Sequence, residues 1–197
     1  KQTIMQQKIR QIFQSSIDAK QHLLANERLL QLTETVSQVV ANAFKNGHRL
    51  YLCGNGGSAA DAQHLAAEFS GAFYNRNRKA LPAEALHVNT SYLTAVANDF
   101  DFSSVYSRLV EGIMQPGDVL IGLSTSGNSV NVVKAFEAAN ARGIITVGMT
   151  GENGGALRAI SQYLLNVPSA NTPRIQECHM LIGHTICELV EATIFAA

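Results

Sequence analysis

The sequence predicts one α/β domain built on a doubly wound, five-stranded parallel sheet, with a helical extension at its N-terminus. Three observations predict this fold. Five short apolar runs follow residue 48, segments with helical spacing separate them, and no strand pattern precedes them. Such alternation favours right-handed crossovers with helices on both faces of the sheet. At 197 residues the whole chain, 1–197, is predicted to form a single domain.

The N-terminal extension, residues 1–47, is predicted to form two helices. Isoleucine, leucine and valine recur there at helical spacing. Asn46-Gly47 is a stop signal, because glycine suits the position just beyond the last residue of a helix. Residues 48–197 are predicted to form the α/β core, which ends in a long apolar helix from Pro173 to about Phe195.

The core elements are read in chain order from the apolar pattern. The predicted strands occupy residues 49–53, 83–88, 119–123, 144–149 and 163–167. The predicted helices between them lie near residues 58–72, 91–112, 129–142 and 154–160. Open parallel sheets bind ligands beyond the carboxyl ends of their strands, near the point where the strand order reverses. The loops that follow the strands are therefore where functional residues are expected.

The composition excludes several functional classes. The 15 Lys and Arg balance the 15 Asp and Glu, so the chain lacks the positive field that nucleic-acid-binding proteins use. No apolar run reaches the roughly 18 residues of a membrane span, and residues 1–10 are too polar for a signal peptide. The 3 cysteines form no CxxC pair, which indicates a reducing compartment, so we expect a cytoplasmic protein. A charged fraction of only 15% indicates subunit interfaces.

Two loops of the predicted sheet suit a phosphate group. CGNGGS (53–58) follows the first strand and STSGNS (124–129) follows the third. Both place small residues where backbone N–H groups at the start of a helix can point at an anion, and the second adds four hydroxyl groups. Neither contains lysine, and neither is a convincing nucleotide-binding motif. For either loop alone, a tight turn that caps a helix is an equally good explanation.

Polar side chains on two of the predicted helices are candidates for catalysis. His64 and Glu68 lie four residues apart, which puts both on one helix face, about 6 Å apart along the axis. Such a pair is common on exposed helices, but this one lies one to three turns from a candidate phosphate loop. On the closing helix, His179 is interpreted as a core histidine. Gln176 and His184 are separated by about 12 Å of helix rise, so they can meet only by reaching towards each other or across a subunit interface.

Four segments resemble the SIS (sugar isomerase) domain and, within it, the phosphoheptose isomerase family. They are CGNGGSAADAQHLAAEF (53–69), AVANDF (95–100), GDVLIGLSTSGNS (117–129) and TPRIQECHMLIGH (172–184). The first and third are widespread in SIS proteins, whereas the set of His64, Glu68, Gln176 and His184 is specific to the isomerases. The resemblance covers nearly the whole chain and implies a flavodoxin-like fold, assembled as a homotetramer with active sites between subunits.

The resemblance also implies an aldose–ketose isomerase that converts D-sedoheptulose 7-phosphate to D-glycero-D-manno-heptose 7-phosphate through an enediol, for bacterial lipopolysaccharide or capsule. Glu68 would be the base and His184 its acid partner. Zinc, one ion per subunit, would be held by His64, Glu68, Gln176 and His184, and no nucleotide cofactor is implied. The residues implied to bind the substrate are Asn55, Gly56, Gly57, Ser58, Asn98, Asp99, Ser124, Thr125, Ser126, Ser129 and Gln176.

The sequence departs from the family pattern at the edge of the implied pocket. Ala72 stands where arginine is common, the segment that follows (73–79) is one residue longer, and Glu84 replaces an apolar residue. The basic residues of that segment could supply a displaced positive charge, but a solvated loop is the interpretation we favour for Arg76, Arg78 and Lys79.

Three other functions fit parts of the pattern. A non-catalytic SIS protein would bind a protein partner, such as the replication initiator, although the joint presence of Glu68 and His184 favours an enzyme. A regulatory module that senses sugar phosphates is less consistent with the sequence, because no DNA-binding segment accompanies the domain. Isomerisation of a different sugar phosphate would use the same phosphate loops.

Overall fold

A computed structural model describes residues 3–195, and in this range five strands form a single sheet in which all neighbouring strands are parallel. The strand order is β2-β1-β3-β4-β5. The strands are β1 (Leu50–Gly54), β2 (Ala83–Ala85), β3 (Val119–Leu123), β4 (Ile145–Thr150) and β5 (Tyr163–Asn166). This is the flavodoxin-like order, in which the direction of strand addition reverses between β1 and β3. The predicted fold class is confirmed.

Helices cover both faces of the sheet. They are α1 (Ile4–Leu24), α2 (Glu27–Lys45), α3 (Gly57–Ser70), α4 (Thr90–Asp99), α5 (Ser107–Ile113), α6 (Val130–Ala141), α7 (Leu157–Ile160) and α8 (Thr172–Phe195). A 3-10 turn, Phe102–Ser104, lies between α4 and α5. The single helix predicted over 91–112 is wrong. The backbone leaves helical geometry at Phe100, and the Asp101 carboxylate accepts a hydrogen bond from the Ser103 N–H to start the 3-10 turn.

The core lies in two layers, one on each face of the sheet. Leu50 and Leu52 of β1 pack into the layer that contains buried residues of α2, α3 and α8. Tyr51 and Cys53, which alternate with them, pack into the layer that contains α5 and α6. Helix α2 therefore belongs to the same packed layer as α3 and α8, and of the two N-terminal helices only α1 is mostly exposed.

Helix α8 is long and apolar enough to span a membrane by length and composition alone, although the sequence contains no uninterrupted apolar run of that length. Its most apolar window has a mean hydropathy of 1.2, and 44% of that window is buried. Because the buried residues, among them Ile175, Ile182 and Ile186, belong to the core between α8 and the sheet, core packing accounts for the apolar character of this helix.

His179 lies on the buried face of α8. Its side chain is fully buried, and its Nε2 lies 3.2 Å from the carbonyl oxygen of Thr150, to which an Nε2–H donates. The prediction of a core histidine is therefore confirmed. Burial disfavours the imidazolium form and lowers the pKa of His179 to about 4, an effect that the hydrogen bond to Thr150 opposes only in part.

The buried His179 predicts a loss of stability in mild acid. The unfolded chain binds a proton at this residue below its ordinary pKa of 6.5, whereas the native chain does so only near 4, so protonation favours unfolding between these values. The free energy of unfolding should fall by about 3 kcal/mol across this window on account of His179 alone. Urea titrations of metal-free protein at pH 7 and pH 4 should show a smaller fall for His179→Leu than for the wild type or for an exposed-site control, His22→Leu. Equal falls in all three would contradict this assignment.

Candidate active site

The two predicted phosphate loops lie side by side at the switch point of the sheet. Strands β1 and β3 are neighbours, and Gly54 pairs with Leu123 where both strands end. Gly56 and Gly127 have φ values of 55° and 70°, in the left-handed region that favours glycine, and each lies where its loop turns towards α3 or α6. The loops after the first and third strands therefore meet at one place, as the topology predicts.

A pair of asparagines joins the first loop to the start of α6, directly after the second loop. The side-chain amide of Asn55 donates to the Asn131 oxygen at 2.8 Å, and the amide of Asn131 donates back at 2.9 Å. The buried hydroxyl of Tyr106 also donates to the Gly54 carbonyl at 2.5 Å. Sequence reasoning missed both Asn131 and Tyr106. An asparagine in the valine-rich first turn of α6 could have pointed to Asn131. Nothing in the sequence pattern pointed to Tyr106.

The hydroxyl-rich loop is preorganised by its own hydrogen bonds. The Oγ atoms of Ser124 and Ser129 lie 2.9 Å apart, and the Ser126 hydroxyl accepts a hydrogen bond from the Asn128 N–H at 3.1 Å. Ser124 is buried, Thr125 and Ser129 are half-buried, and Ser126 is exposed. Ser129 is the N-cap of α6, and its side chain makes no capping hydrogen bond. The loop thus presents neutral donors next to a helix N-terminus, which suits an anion.

The far side of this loop is packed tightly against the loop that follows β4. A Cβ added to Gly127 would lie 2.0 Å from the carbonyl oxygen of Gly154, and one added to Gly155 would lie 2.4 Å from that of Ser126. The Leu157 N–H donates to the Gly127 carbonyl at 3.0 Å, which ties the loops together. Backbone therefore contacts backbone here, and the shape of the hydroxyl-rich loop is fixed.

Three side chains from α3 and α8 converge in one chain. His64 Nε2 lies 3.0 Å from Glu68 Oε1 and 3.4 Å from His184 Nε2. The two imidazole rings meet edge to face, with centroids 5.0 Å apart. One ligand atom from each of the three residues lies within 4.8 Å of the others. The structure thus brings His184 to the predicted His64/Glu68 pair without a second subunit.

The donor set of this cluster fits a divalent metal of the zinc type. Imidazole nitrogen and carboxylate oxygen are ordinary zinc ligands, with bonds of about 2.0–2.2 Å, so two ligand atoms of a tetrahedral site lie about 3.3–3.6 Å apart. The separations of 3.0 Å and 3.4 Å in the cluster are close to that spacing. Three protein ligands also leave a fourth position open, which is the arrangement of catalytic zinc sites.

Gln176 lies at the start of α3. A Cβ added to Gly57 would come within 2.8 Å of Gln176 Nε2, so this side chain lies against the first residue of α3. Within one chain, Gln176 is therefore placed beside the loop predicted to bind the sugar, and its role as a metal ligand stays a prediction.

The remaining predicted site residues fall into two groups. Ser58 is buried at the start of α3, where its N–H donates to the Asn55 carbonyl at 3.0 Å. Asn98 and Asp99 lie at the exposed end of α4, where the Asn98 amide donates to the Asp99 carboxylate at 2.8 Å. Among the described residues neither has a hydrogen bond to the two phosphate loops, and their role at the site stays a prediction.

Comparison with known proteins identifies relatives that are similar in sequence and fold. A model of the SIS domain matches residues 13–151. A phosphoheptose isomerase from Aneurinibacillus thermoaerophilus is 49% identical over 187 residues, which cover 95% of this chain and 94% of that protein. Two solved phosphoheptose isomerase structures are similar in fold. The one from Neisseria gonorrhoeae has a TM-score of 0.89 and is 40% identical, and the match covers 95% of this chain and 99% of that chain. The one from Francisella tularensis has a TM-score of 0.90 and is 34% identical, and the match covers 95% of this chain and 98% of that chain.

The chain belongs to the phosphoheptose isomerase family of SIS-domain proteins. The family resemblance predicted from the four motifs is therefore confirmed. Members of this family are the relevant comparison for the site, because the similarity covers nearly all of the chain, including α3 and α8.

One expectation about the family departures is wrong. The Arg78 side chain does not lie in a solvated loop: it is only 1% exposed and forms an ion pair with Glu191, with Nε 2.5 Å from Oε2. Arg76 and Lys79 are exposed, as predicted. Spacing along the segment could not distinguish Arg78 from its neighbours, because its partner lies 113 residues away on α8.

Proposed function

We propose that this protein is an aldose–ketose isomerase that interconverts D-sedoheptulose 7-phosphate and D-glycero-D-manno-heptose 7-phosphate. The observation that carries the proposal is the convergence of three side chains near a loop suited to phosphate. His64 and Glu68 lie on α3, which begins at that loop, and His184 reaches them from α8. The names of the relatives at 49% and 40% identity support the same reaction. They do not favour a non-catalytic, partner-binding protein.

The phosphate group would anchor the substrate. Ser124, Thr125, Ser126 and Ser129 offer hydroxyl donors at the start of α6, and no lysine is needed to neutralise the anion there. Binding energy from this remote group can orient the reacting carbons. Asn55, Gly56, Gly57 and Gln176, which lie on the neighbouring side of the switch point, are proposed to line the sugar.

The reaction moves a hydrogen between C1 and C2 of the open-chain sugar. In the forward direction Glu68 takes a proton from C1 of the ketose while the carbonyl oxygen at C2 receives one, for which His184 is the proposed donor. The resulting enediol then returns the O1 proton to His184, and Glu68 gives its proton to C2 to form the aldose. Atoms and charge balance, since each proton removed is replaced.

His64, Glu68 and His184 would also hold a zinc ion, with Gln176 as the proposed fourth ligand. When bound, zinc would polarise the carbonyl and stabilise negative charge on oxygen. A carboxylate has two oxygen atoms, so one oxygen of Glu68 can hold a metal while the other takes a proton. His64, which is half-exposed, orients Glu68 through the 3.0 Å contact between them.

The isomerase is proposed to act as a homotetramer. Helix α1 exposes a series of large apolar side chains that an isolated chain would leave in water: Ile4, Met5, Ile9, Ile12, Phe13, Ile17 and Leu24. An assembly would cover these residues and would bring Asn98 and Asp99 to a neighbouring site. The number four rests on the family resemblance, and a chain that sediments as a monomer would contradict this part of the proposal.

We also place the reaction in the cytoplasm, on the route to bacterial surface heptose. Cys53, Cys178 and Cys187 are all free and buried, which fits a reducing compartment. The substrate and product are sugar phosphates, so the protein needs no nucleic-acid or membrane partner for this role.

The decisive experiment is a turnover assay on metal-free and zinc-loaded protein. Sedoheptulose 7-phosphate is supplied, and formation of the aldose phosphate is followed by NMR. We expect turnover with zinc and a lower rate after removal of the metal. Fructose 6-phosphate serves as a matched ketose phosphate that is shorter by one carbon, and preferential turnover of it would assign a different sugar. No turnover of either, with or without zinc, would refute the proposed function.

A further inference from the structure

The buried ion pair of Arg78 and Glu191 lies at the point where α3 ends. The guanidinium of Arg78 donates to the Glu68 carbonyl at 2.7 Å and to the Phe69 carbonyl at 2.9 Å. These are carbonyl groups of the last turn of α3, which lack partners further along the helix. Arg78 thus caps α3 at the residue that carries the candidate catalytic carboxylate.

The Glu191 carboxylate fixes the segment that follows α3. It accepts hydrogen bonds from the backbone N–H groups of Phe73, Tyr74 and Asn75 at 3.2, 2.8 and 2.8 Å, in addition to the Arg78 contact. Desolvation alone would raise the pKa of this carboxyl, but the hydrogen bonds from Arg78 and from these backbone groups lower it to about 2. Glu191 is therefore ionised at neutral pH, with its hydrogen-bonding capacity filled.

The same two residues connect both sides of the metal-binding cluster. Glu191 lies seven residues after His184 on α8, which is about two turns along the same face. Glu191 binds the backbone N–H of Phe73. The ring of Phe73 lies against the His184 ring, with centroids 5.8 Å apart. The pair thus ties together the end of α3, the segment after it and α8, which are the elements that surround Glu68 and His184.

We propose that Arg78 and Glu191 are positioning residues that set the separation between the α3 side chains His64 and Glu68 and the His184 side chain on α8. Neither touches the reacting atoms; they act through the α3 terminus and through Phe73. The inference rests on the proposed function only for its kinetic consequence, because the geometry of the cluster can be measured without turnover. A loss of alignment of about 1 Å is enough to weaken a metal site or a proton transfer.

The test removes the pair while keeping the core filled. In the double variant Arg78→Met/Glu191→Leu, apolar side chains of similar size replace both charges, and such replacements of buried ion pairs are often tolerated. We expect the dissociation constant for Zn²⁺, measured by competition with a chromophoric chelator, to rise about 10- to 100-fold. We expect kcat to fall by a similar factor while KM changes less than about threefold, because the phosphate loops do not contact the pair.

Asp118→Asn is the matched control. Asp118 is also buried and accepts two backbone hydrogen bonds, from Arg49 and Gln115, but it lies just before β3, and neither bond involves α3, the segment 73–79 or α8. Loss of an equivalent anchor there should lower the thermal midpoint without changing Zn²⁺ affinity or kcat. If Asp118→Asn weakens zinc binding as much as the double variant does, general destabilisation explains the effect and the proposal is wrong.

A crystal structure of the metal-free double variant provides a readout that does not depend on activity. We expect the His64 Nε2–His184 Nε2 separation to exceed its present 3.4 Å by more than about 1 Å. An unchanged separation would overturn the proposal, even if the wild type proved to have no isomerase activity. Should the double variant not fold, Arg78→Lys keeps the charge but loses the planar fork that reaches both carbonyls. It should show the same changes to a smaller extent, and wild-type zinc affinity in that variant would also overturn the proposal.

Discussion

Glu68→Gln should reduce turnover of sedoheptulose 7-phosphate by about 10³-fold, within the range that a positioned general base contributes. The amide has the shape of the carboxylate but cannot accept the proton from carbon, and it is a poorer metal ligand. Because the Glu68 side chain is only partly buried and its one hydrogen bond within residues 3–195 is to His64, the fold should survive. Steady-state kinetics measure the loss of turnover, and the thermal midpoint of each protein shows whether the fold survives.

The control for that variant is Glu34→Gln, which makes the same chemical change on the exposed surface of α2. Its turnover should stay within about twofold of the wild type, since no catalytic contribution is lost. If Glu68→Gln retains wild-type turnover, Glu68 is not the base, and the proton-transfer step proposed above must be assigned to another residue.

His184→Ala should weaken Zn²⁺ binding by at least about 100-fold and reduce turnover by a comparable factor, since it removes one of the three converging ligands. Isothermal titration of metal-free protein measures the affinity. Chelation of the metal from the wild type should lower turnover in the same way, and added zinc should restore the wild type but not the variant.

His22→Ala, on the exposed surface of α1, controls for the loss of an imidazole elsewhere. It should bind zinc as the wild type does. The combination of wild-type zinc affinity and lost turnover in His184→Ala would separate the two roles of this residue, leaving it as a proton donor while other ligands hold the metal.

The positions of the two candidate phosphate loops could be predicted from the sequence because local features define them. Small and hydroxyl residues directly follow buried strands, and parallel strands end at one edge of a sheet. The His64/Glu68 pair could be predicted just as well, since helical periodicity alone places residues four apart on one face. The strand positions followed from the apolar runs in the same way, although β2 ends at Ala85, three residues before the predicted boundary.

Contacts between distant segments could not be predicted in this way. His184 reaches His64 across 120 residues, and Asn55 meets Asn131 across 76, so the packing of helices on the sheet decides both contacts. The break after α4 was missed because the apolar spacing continues through it, with Val96 and Val105 in the same buried layer. There the turn-forming Asp101 outweighs the periodicity.

The close backbone contact between the hydroxyl-rich loop and the loop after β4 has a consequence for how this enzyme can change over evolutionary time. At Gly127 and Gly155 even a methyl group would overlap a carbonyl oxygen of the facing loop. If this loop binds the phosphate as proposed, that part of the site is closed to gradual change. A new substrate preference would then arise more easily elsewhere, for example at the exposed end of α4 or in segment 73–79, so that divergent descendants would accept different sugars while retaining the demand for a phosphorylated one.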